Sequence, residues 1–561
     1  MSCRREATAL PKRSMNINAV VTSKNALRSH GDHGVSSSRH LITAAAISIT
    51  WMVVLCATFN PKWETNDDVA MSMVAHGYGI ADYGSAHLFF SNVLWGVIVR
   101  SLPSINGILG YSVATMLSLT LAGAAIVYFL LRLAIRPIFT VLVLIVVFMR
   151  PTLFPQFTET AGLLAVGGVL GLLSYQRRGS VFDLVAACCL AFLAYLIRDL
   201  ELALVAAVGL PLLPWRKLIA LRSARLAAVG LAICLGGATV ANVRAYSSPE
   251  WQTFRQQNFA RAPLTDFDAT KFILERPELM QRHGLSPNDV RLVSNWFFVD
   301  PRLSNPDLLR SLLSEIPPQA VIERNFASSL TAFSLPLGPN LLTLTLTGLA
   351  LLIILLRPSL LAAWLICFAF MLGFALAGRS PPVRVCFPLF ALLTTAAVTM
   401  QFRLPQWRRL LLAATLLVGS LFNAWHLIDE AAASDRTIAL ARHPEFVSPR
   451  STFVWGDALP FESVFPVFTR EYDVRSTRIY GFGVLTLAPF SVAVADEAAN
   501  RGFLAQLQSN AGIPLIAKPA ELALLSVYCM ENFATPLQTS IATQAELWTV
   551  VNASCTSPAD E

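Results

Sequence analysis

LITAAAISITWMVVLCAT, residues 41–58, runs directly into FNPKWETNDDVAM, residues 59–71, and this junction sets the reading of the whole chain. The first part is apolar and uncharged, close to the ~20 residues that an α-helix needs to cross a bilayer. The second part is polar, and three of its residues are acids. Ahead of both lie Arg4, Arg5, Lys12, Arg13, Lys24, Arg28 and Arg39. Basic residues before a first span hold the N-terminus on the cytoplasmic side. Residues 1–40 are polar and lack the apolar core of a cleavable leader, so they read as a disordered cytoplasmic tail.

The rest of the chain continues that pattern. Of 561 residues, 55% are hydrophobic and 14% are charged, too apolar for a soluble protein of this length. Further apolar runs cover 107–131, 138–149, 160–174, 181–197, 200–213, 226–243, 335–356, 359–377, 385–400 and 410–427. With 41–58 they predict an all-α polytopic membrane protein of roughly eleven spans. The runs from Ile138 and Leu200 are short for a straight span and fit broken or re-entrant helices as well. The net charge of +8 does not point to nucleic acid, because Lys and Arg fall between the apolar runs, where they orient a membrane protein.

Alternating the spans places Arg132, Arg136, Arg177, Arg178, Lys217, Arg357, Arg408 and Arg409 all on the cytoplasmic side. It does so only if HLFFSNVLWGVIVRSL, residues 87–102, does not cross. That stretch contains Asn92 and Arg100 and is followed by Pro103, and it reads as a helix on or in the outer membrane face. The predicted organisation follows: a membrane module over 41–243 with an external loop at 60–106, an external helical insertion at 244–334, a second membrane module at 335–427, and an external α/β domain at 428–561. In the insertion, Ser286-Pro287 and Ser304-Asn305-Pro306 carry helix-start signals, and Trp296, Phe297 and Phe298 read as interfacial aromatics. In the last domain, 491–495 and 513–516 look like strands and 521–528 like a helix. Of nine cysteines, Cys529 and Cys555 are the two in a soluble-looking segment; they read equally as a disulfide or as free thiols.

Four polar clusters fall on the predicted outer side. Asp67 and Asp68 suit a general base or a site for a divalent cation such as Mg or Mn, and equally a solvated helix start. Glu159 stands at the mouth of a span, where an ionisable group is a functional candidate or a helix cap. Arg198 occupies a tight turn beside Asp199 and Glu201, and either binds phosphate or pairs with those acids. Arg379 and Arg384 flank Pro381-Pro382 and form either an anion clamp or a pair of snorkelling side chains. Acids and arginines at one membrane face suit a lipid-linked phosphate substrate. His76, His87, His283 and His426 have no metal-ligand spacing, and no nucleotide-binding loop or hydrolase motif is present.

One span, an acidic external loop with a surface helix, and then many spans resemble the GT-C class of glycosyltransferases. Locally NDDVAMSMVAHGYG, FTETA, GLSPNDVRLVSNWFFVD and GRSPPVRVCFP resemble a group of bacterial multi-spanning membrane proteins without assigned activity. The GT-C resemblance implies a polyprenyl-phosphate-linked sugar as donor, a glycan or lipid of the cell envelope as acceptor, and a bacterial inner-membrane location with a periplasmic active site. It maps the two acids of that class onto Asp67 or Asp68 and onto Glu159. Arg198, Arg379 and Arg384 then hold the carrier phosphate. The competing readings are a surface-polysaccharide polymerase or ligase, a transporter, and a non-enzymatic envelope protein.

Overall fold

The computed structural model describes residues 17–267, 269–316, 338–379, 381–400, 404–441 and 451–556, with side chains from residue 38 onward. Helix α1 runs Ile17–Thr58. It therefore begins inside the stretch expected as a disordered tail, and no proline lies between Ile17 and Thr58 to end it. In the first external loop come α2, Asn66–His76, and α3, Val93–Ser101. The membrane helices of the first module follow: α4, Gly110–Arg132; α5, Pro137–Leu153; α6, Phe157–Arg178; α7, Val181–Ile197; and α8, Asp199–Gly209, which closes in a single 3-10 turn. A short α9, Trp215–Ala220, leads into α10, Arg222–Ala245.

Among the described residues, six helices are long and apolar enough to cross a membrane: α1 from Ser38, α4, α6, α10, Pro358–Leu376 and Gln406–Ala441. Four more apolar helices are shorter: α5, α7, Pro339–Leu355 and Val383–Thr399. Each of the predicted apolar runs thus falls on a helix, but fewer than eleven reach spanning length. Both short runs fall on helices below spanning length. Helix α5 carries Arg150 and Pro151 near its end, and α8 has 11 residues, about 17 Å at the 1.5 Å rise of an α-helix.

Helix α6 is the hub, buried along nearly its whole length. Its glycines let neighbours approach closely, the device that packs helices in a membrane. A Cβ on Gly162 would lie 2.3 Å from the ring of Pro388, and one on Gly171 would lie 2.8 Å from Ala187. At one end of the bundle the arginine loops gather. Arg178 donates to the carbonyl of Arg132, Arg132 pairs with buried Asp183, and Arg177 donates to the carbonyl of Thr399 at 3.3 Å. At the opposite end the predicted external loops gather. Lys62 N–H donates to the Leu153 carbonyl at 3.0 Å and Asn92 N–H to the Leu196 carbonyl at 2.9 Å. Helix α3 has 9 residues and does not cross; Asn92 caps it by accepting from Leu94 N–H.

The insertion is helical: α11, Pro249–Thr265; α12, Ala269–Leu274; α13, Pro277–Arg282; α14, Pro287–Ser294; and α15, Pro306–Ser314. Ser286 caps α14 in a reciprocal capping box with Asp289, and Asn305 caps α15. After Pro339–Leu355, Pro358–Leu376 and Val383–Thr399, the helix Gln406–Ala441 continues well past the last apolar run and precedes the C-terminal domain. That domain holds a five-stranded sheet: β1, Thr452–Trp455; β2, Ile479–Phe482; β3, Ile513–Ile516; β4, Gln538–Gln544; and β5, Thr549–Ser554. The order is β2-β1-β3-β5-β4, with β2, β1 and β3 parallel and β3, β5 and β4 antiparallel.

Two readings change here. Residues 491–495 form the start of a helix, Val492–Ala498, because Ser491 caps it by accepting from Val494 N–H. Phe297 and Phe298 are not interfacial; they are buried, and Phe297 stacks on Trp455 at 5.2 Å and meets Tyr528 at the same distance. Insertion and C-terminal domain therefore share one hydrophobic core, where the sequence suggested separate units. Cys529 and Cys555 are joined as a disulfide, with a Cα–Cα distance of 5.7 Å.

Candidate functional site

A cavity of about 570 Å³ lies where the end of the bundle opposite the Arg132 and Arg178 loops meets the insertion and the α/β domain. Asp67, Arg198, Arg379 and Arg384, which are remote in sequence, all line it. Asp67 is the second residue of α2, held at the cavity edge because Thr65, in extended conformation, starts that helix. Arg384 comes from the start of Val383–Thr399, and its Nη2 lies 3.3 Å from Asp67 Oδ2. Arg198 sits in the turn between α7 and α8. It pairs with neither Asp199 nor Glu201; it donates instead to the Phe90 carbonyl at 2.9 Å and lies over the ring of Phe157. Arg379 faces the ring of Phe267 at 5.7 Å. Among the described residues, Arg198 and Arg379 have no carboxylate partner, which leaves two cations available to an anion in the cavity.

Asp68 behaves differently from its neighbour. It is fully buried and is not part of the cavity wall. Its Oδ1 accepts from Tyr111 Oη at 2.9 Å and from Phe157 N–H at 3.1 Å, and Thr65 donates to its Oδ2 at 3.4 Å. Asp68 thus ties α2 to the starts of α4 and α6. Burial pushes its carboxyl well above the usual carboxylate range, with the Tyr111 hydrogen bond opposing. The pair that looked equivalent in sequence divides into one cavity residue and one internal tie.

The cation reading of Asp67 and Asp68 does not fit this donor set. Both Asp68 oxygens are already engaged, Asp67 faces a guanidinium, and no group of three or more His, Cys, Asp or Glu side chains suited to a metal occurs among the described residues.

Glu159 is also fully buried, at the third position of α6. The cap of that helix is Gln156, whose Oε1 accepts from Thr158 and Glu159 N–H at 2.6 and 3.1 Å. Neither carboxyl oxygen of Glu159 has a hydrogen-bond partner among the described residues. It stands behind Thr158, which does line the cavity.

Several residues of this region escaped the sequence reading. Arg150 of α5 donates to both oxygens of Glu64 and both of Glu430, bracing the floor. Its signal was an arginine at the outer end of an apolar run, against the usual charge bias. Glu201 lines the cavity, where it had been considered only as a partner for Arg198. Arg261, Asp266 and Trp296 of the insertion and Asp457 and Glu521 of the last domain form the roof. No local motif marks them, since only tertiary docking brings them there.

No family model matches the chain, and no curated protein matches it. Two solved structures align with it over most of their length. One is ArnT from Cupriavidus metallidurans bound to undecaprenyl phosphate, 13% identical, covering 92% of this chain and 99% of that one, with a TM-score of 0.34. The other is the same protein in the apo state, 14% identical, covering 90% and 98%, with a TM-score of 0.33.

Proposed function

We propose that the protein is a membrane glycosyltransferase that takes its sugar from a polyprenyl-phosphate-linked donor and passes it to a glycan or lipid of the cell envelope, at the periplasmic face of a bacterial inner membrane. The observation that carries this reading is the convergence of one accessible carboxylate, Asp67, with Arg198 and Arg379, both free of carboxylate partners, in a cavity at the membrane end of the bundle. Transfer from such a donor needs a base for the acceptor hydroxyl and a cation for the departing phosphate.

In the inverting reaction Asp67 accepts the proton of the acceptor hydroxyl as its oxygen bonds to the anomeric carbon. The bond from that carbon to the phosphate oxygen breaks on the opposite face, and polyprenyl phosphate leaves with the electron pair. Arg198 and Arg379 neutralise the phosphate. Arg384, bonded to Asp67, aims the base and stands near the same anion. Asp68 and Glu159 act behind the wall, Asp68 by fixing α2.

The test is transfer by the purified, reconstituted protein from a radiolabelled polyprenyl-phosphate sugar to envelope lipid and glycan. The wild type transfers label; Asp67→Asn inserts normally and loses at least about a hundredfold in rate, the usual scale of positioned acid–base catalysis. An Asp67→Asn variant as active as the wild type removes the proposed mechanism.

A further inference from the structure

The C-terminal domain meets the cavity with a particular edge. In open α/β sheets ligands bind outside the carboxyl ends of parallel strands, at the point where successive connections leave in opposite directions. Here β1 lies between β2 and β3: the chain leaves it toward β2 on one side, then returns to β3 on the other. The crevice beyond the carboxyl ends of β1 and β3 is formed by Gly456, Asp457 and Glu521, and all three line the cavity. The crevice of the sheet therefore opens onto the cavity.

The chemistry of this roof differs from that of the membrane-side wall. Its cations are taken: Lys518 Nζ pairs with Asp457 at 2.5 Å and Arg261 with Asp266 at 2.9 Å. These contacts, with Lys518 N–H donating to Glu521, engage one oxygen each of Asp457, Asp266 and Glu521, so what remains is the second oxygen of each carboxylate and an aromatic face. Trp296 is half-buried on the cavity wall, with the Arg261 guanidinium 4.5 Å from its ring centroid. Its φ is +68°, a conformation that residues other than glycine rarely take, and the turn is held by Trp455 Nε1 donating to the Asn295 carbonyl at 2.6 Å. A second observation comes from the opposite component of the cavity. Glu201 is 1% exposed, lines the cavity, and has an Oε1 without a hydrogen-bond partner among the described residues. Buried acceptors are satisfied in nearly all proteins, so a donor within the cavity, from water or from a ligand, completes this oxygen.

Carboxylates accept hydroxyl protons, an indole face covers the apolar side of a sugar ring, and a phosphate finds no free cation in the roof. We propose that the switch-point crevice of the C-terminal domain, with Trp296 beside it, is a saccharide-binding subsite that holds the hydroxyl-rich acceptor over Asp67. This rests on the transferase reading and adds to it the acceptor class and the part of the chain that selects it. It also accounts for the α/β domain, which the membrane chemistry alone does not require.

The test uses the full-length protein in nanodiscs and, as probe, glycan released by mild acid from the producing cell's own envelope, with binding followed by saturation-transfer NMR. The wild type shows saturable binding. Trp296→Ala and Asp457→Asn, each checked for monodisperse elution, weaken it about tenfold or more, while Arg310→Gln, on the exposed side of α15 and outside the cavity, changes it less than about twofold. Glu521→Gln supplies a milder roof variant should Trp296→Ala fail to fold. Absence of binding by the wild type, roof variants that bind as well as the wild type, or displacement of the glycan by inorganic phosphate would each overturn the subsite. Sugar transfer that persists in roof variants with unchanged acceptor KM overturns the subsite alone. Roof-dependent glycan binding without any transfer supports the subsite and overturns the transferase.

Discussion

Arg150, near the end of α5, donates to Glu430 at 3.0 and 3.2 Å across 280 positions of sequence, and its other nitrogen bonds both oxygens of Glu64 at 2.8 Å. One nearly buried guanidinium thus joins three elements: the first external loop, α5, and the long helix that precedes the C-terminal domain.

Removing the cation leaves Glu64 and Glu430 facing each other without compensation. Breaking one partner of a buried ion pair costs about 3–5 kcal/mol. Arg150→Ala should therefore lower the melting temperature in detergent markedly. Arg150→Lys should recover little of the loss, since a single ammonium cannot serve two bidentate carboxylates. Glu430→Gln, at the more exposed end, should be the mildest of the three. A melting curve for Arg150→Ala that overlies the wild type would contradict this bracing role.

The division of labour between Asp67 and Asp68 gives a prediction with two opposite readouts. Asp68→Ala orphans Tyr111 Oη and Phe157 N–H inside the protein. An unsatisfied buried donor costs about 1–3 kcal/mol, so this variant loses stability first and activity as a consequence. Tyr111→Phe removes one of those hydrogen bonds and should show part of the same stability loss. Asp67→Asn should keep the wild-type melting temperature while transfer fails. The assignment is wrong if thermal scans show Asp67→Asn to be the less stable of the two.

How much of this was readable beforehand depends on the range of the signal. Sidedness is a local property of each loop, which is why charge bias alone brought Asp67, Arg198, Arg379 and Arg384 to one end of the bundle. The caps at Ser286 and Asn305 are also local, a side chain and a backbone N–H three or fewer residues away, and both form. Asp67 and Asp68 were indistinguishable because which of two adjacent carboxylates points inward depends on Tyr111 and Phe157, far along the chain. Phe297 and Phe298 were misplaced for the same reason: aromatics near a membrane look interfacial until the sheet that buries them is known.

His76, at the end of α2, supplies a pH test. Its Nε2 accepts from Tyr111 N–H at 3.1 Å, which requires the neutral ring, and Arg100 and Glu471 are its charged neighbours. Burial, helped by Arg100 and opposed by Glu471, holds its pKa below the ordinary 6.5. The unfolded chain therefore takes up the proton first on acidification. The contribution is complete above pH 6.5 and declines as pH falls below it, levelling off once the folded-state pKa has been passed. His76→Gln retains an acceptor for Tyr111 N–H but does not titrate. The stability difference between wild type and variant should shrink or reverse between neutral and mildly acidic pH in denaturant titrations. A difference that stays constant over that range would show that His76 does not report through protonation.

Arg198 and Arg379 approach the cavity from different interhelical turns and share no protein carboxylate, so a shared ligand is the coupling to test. A hydrogen bond to a charged group contributes about 1.5–3 kcal/mol, so Arg198→Gln and Arg379→Gln should each raise the donor KM roughly ten- to a hundredfold. If both guanidiniums grip one phosphate, the first loss lets the lipid headgroup shift, and the second then costs less than it does alone. The double variant should accordingly fall short of the product of the single effects, whereas two residues serving separate ligands would multiply. Measuring donor KM in the four members of that cycle decides between one shared phosphate and two unrelated arginines. Strict additivity would leave the cavity without the anion clamp on which the proposed leaving-group chemistry depends.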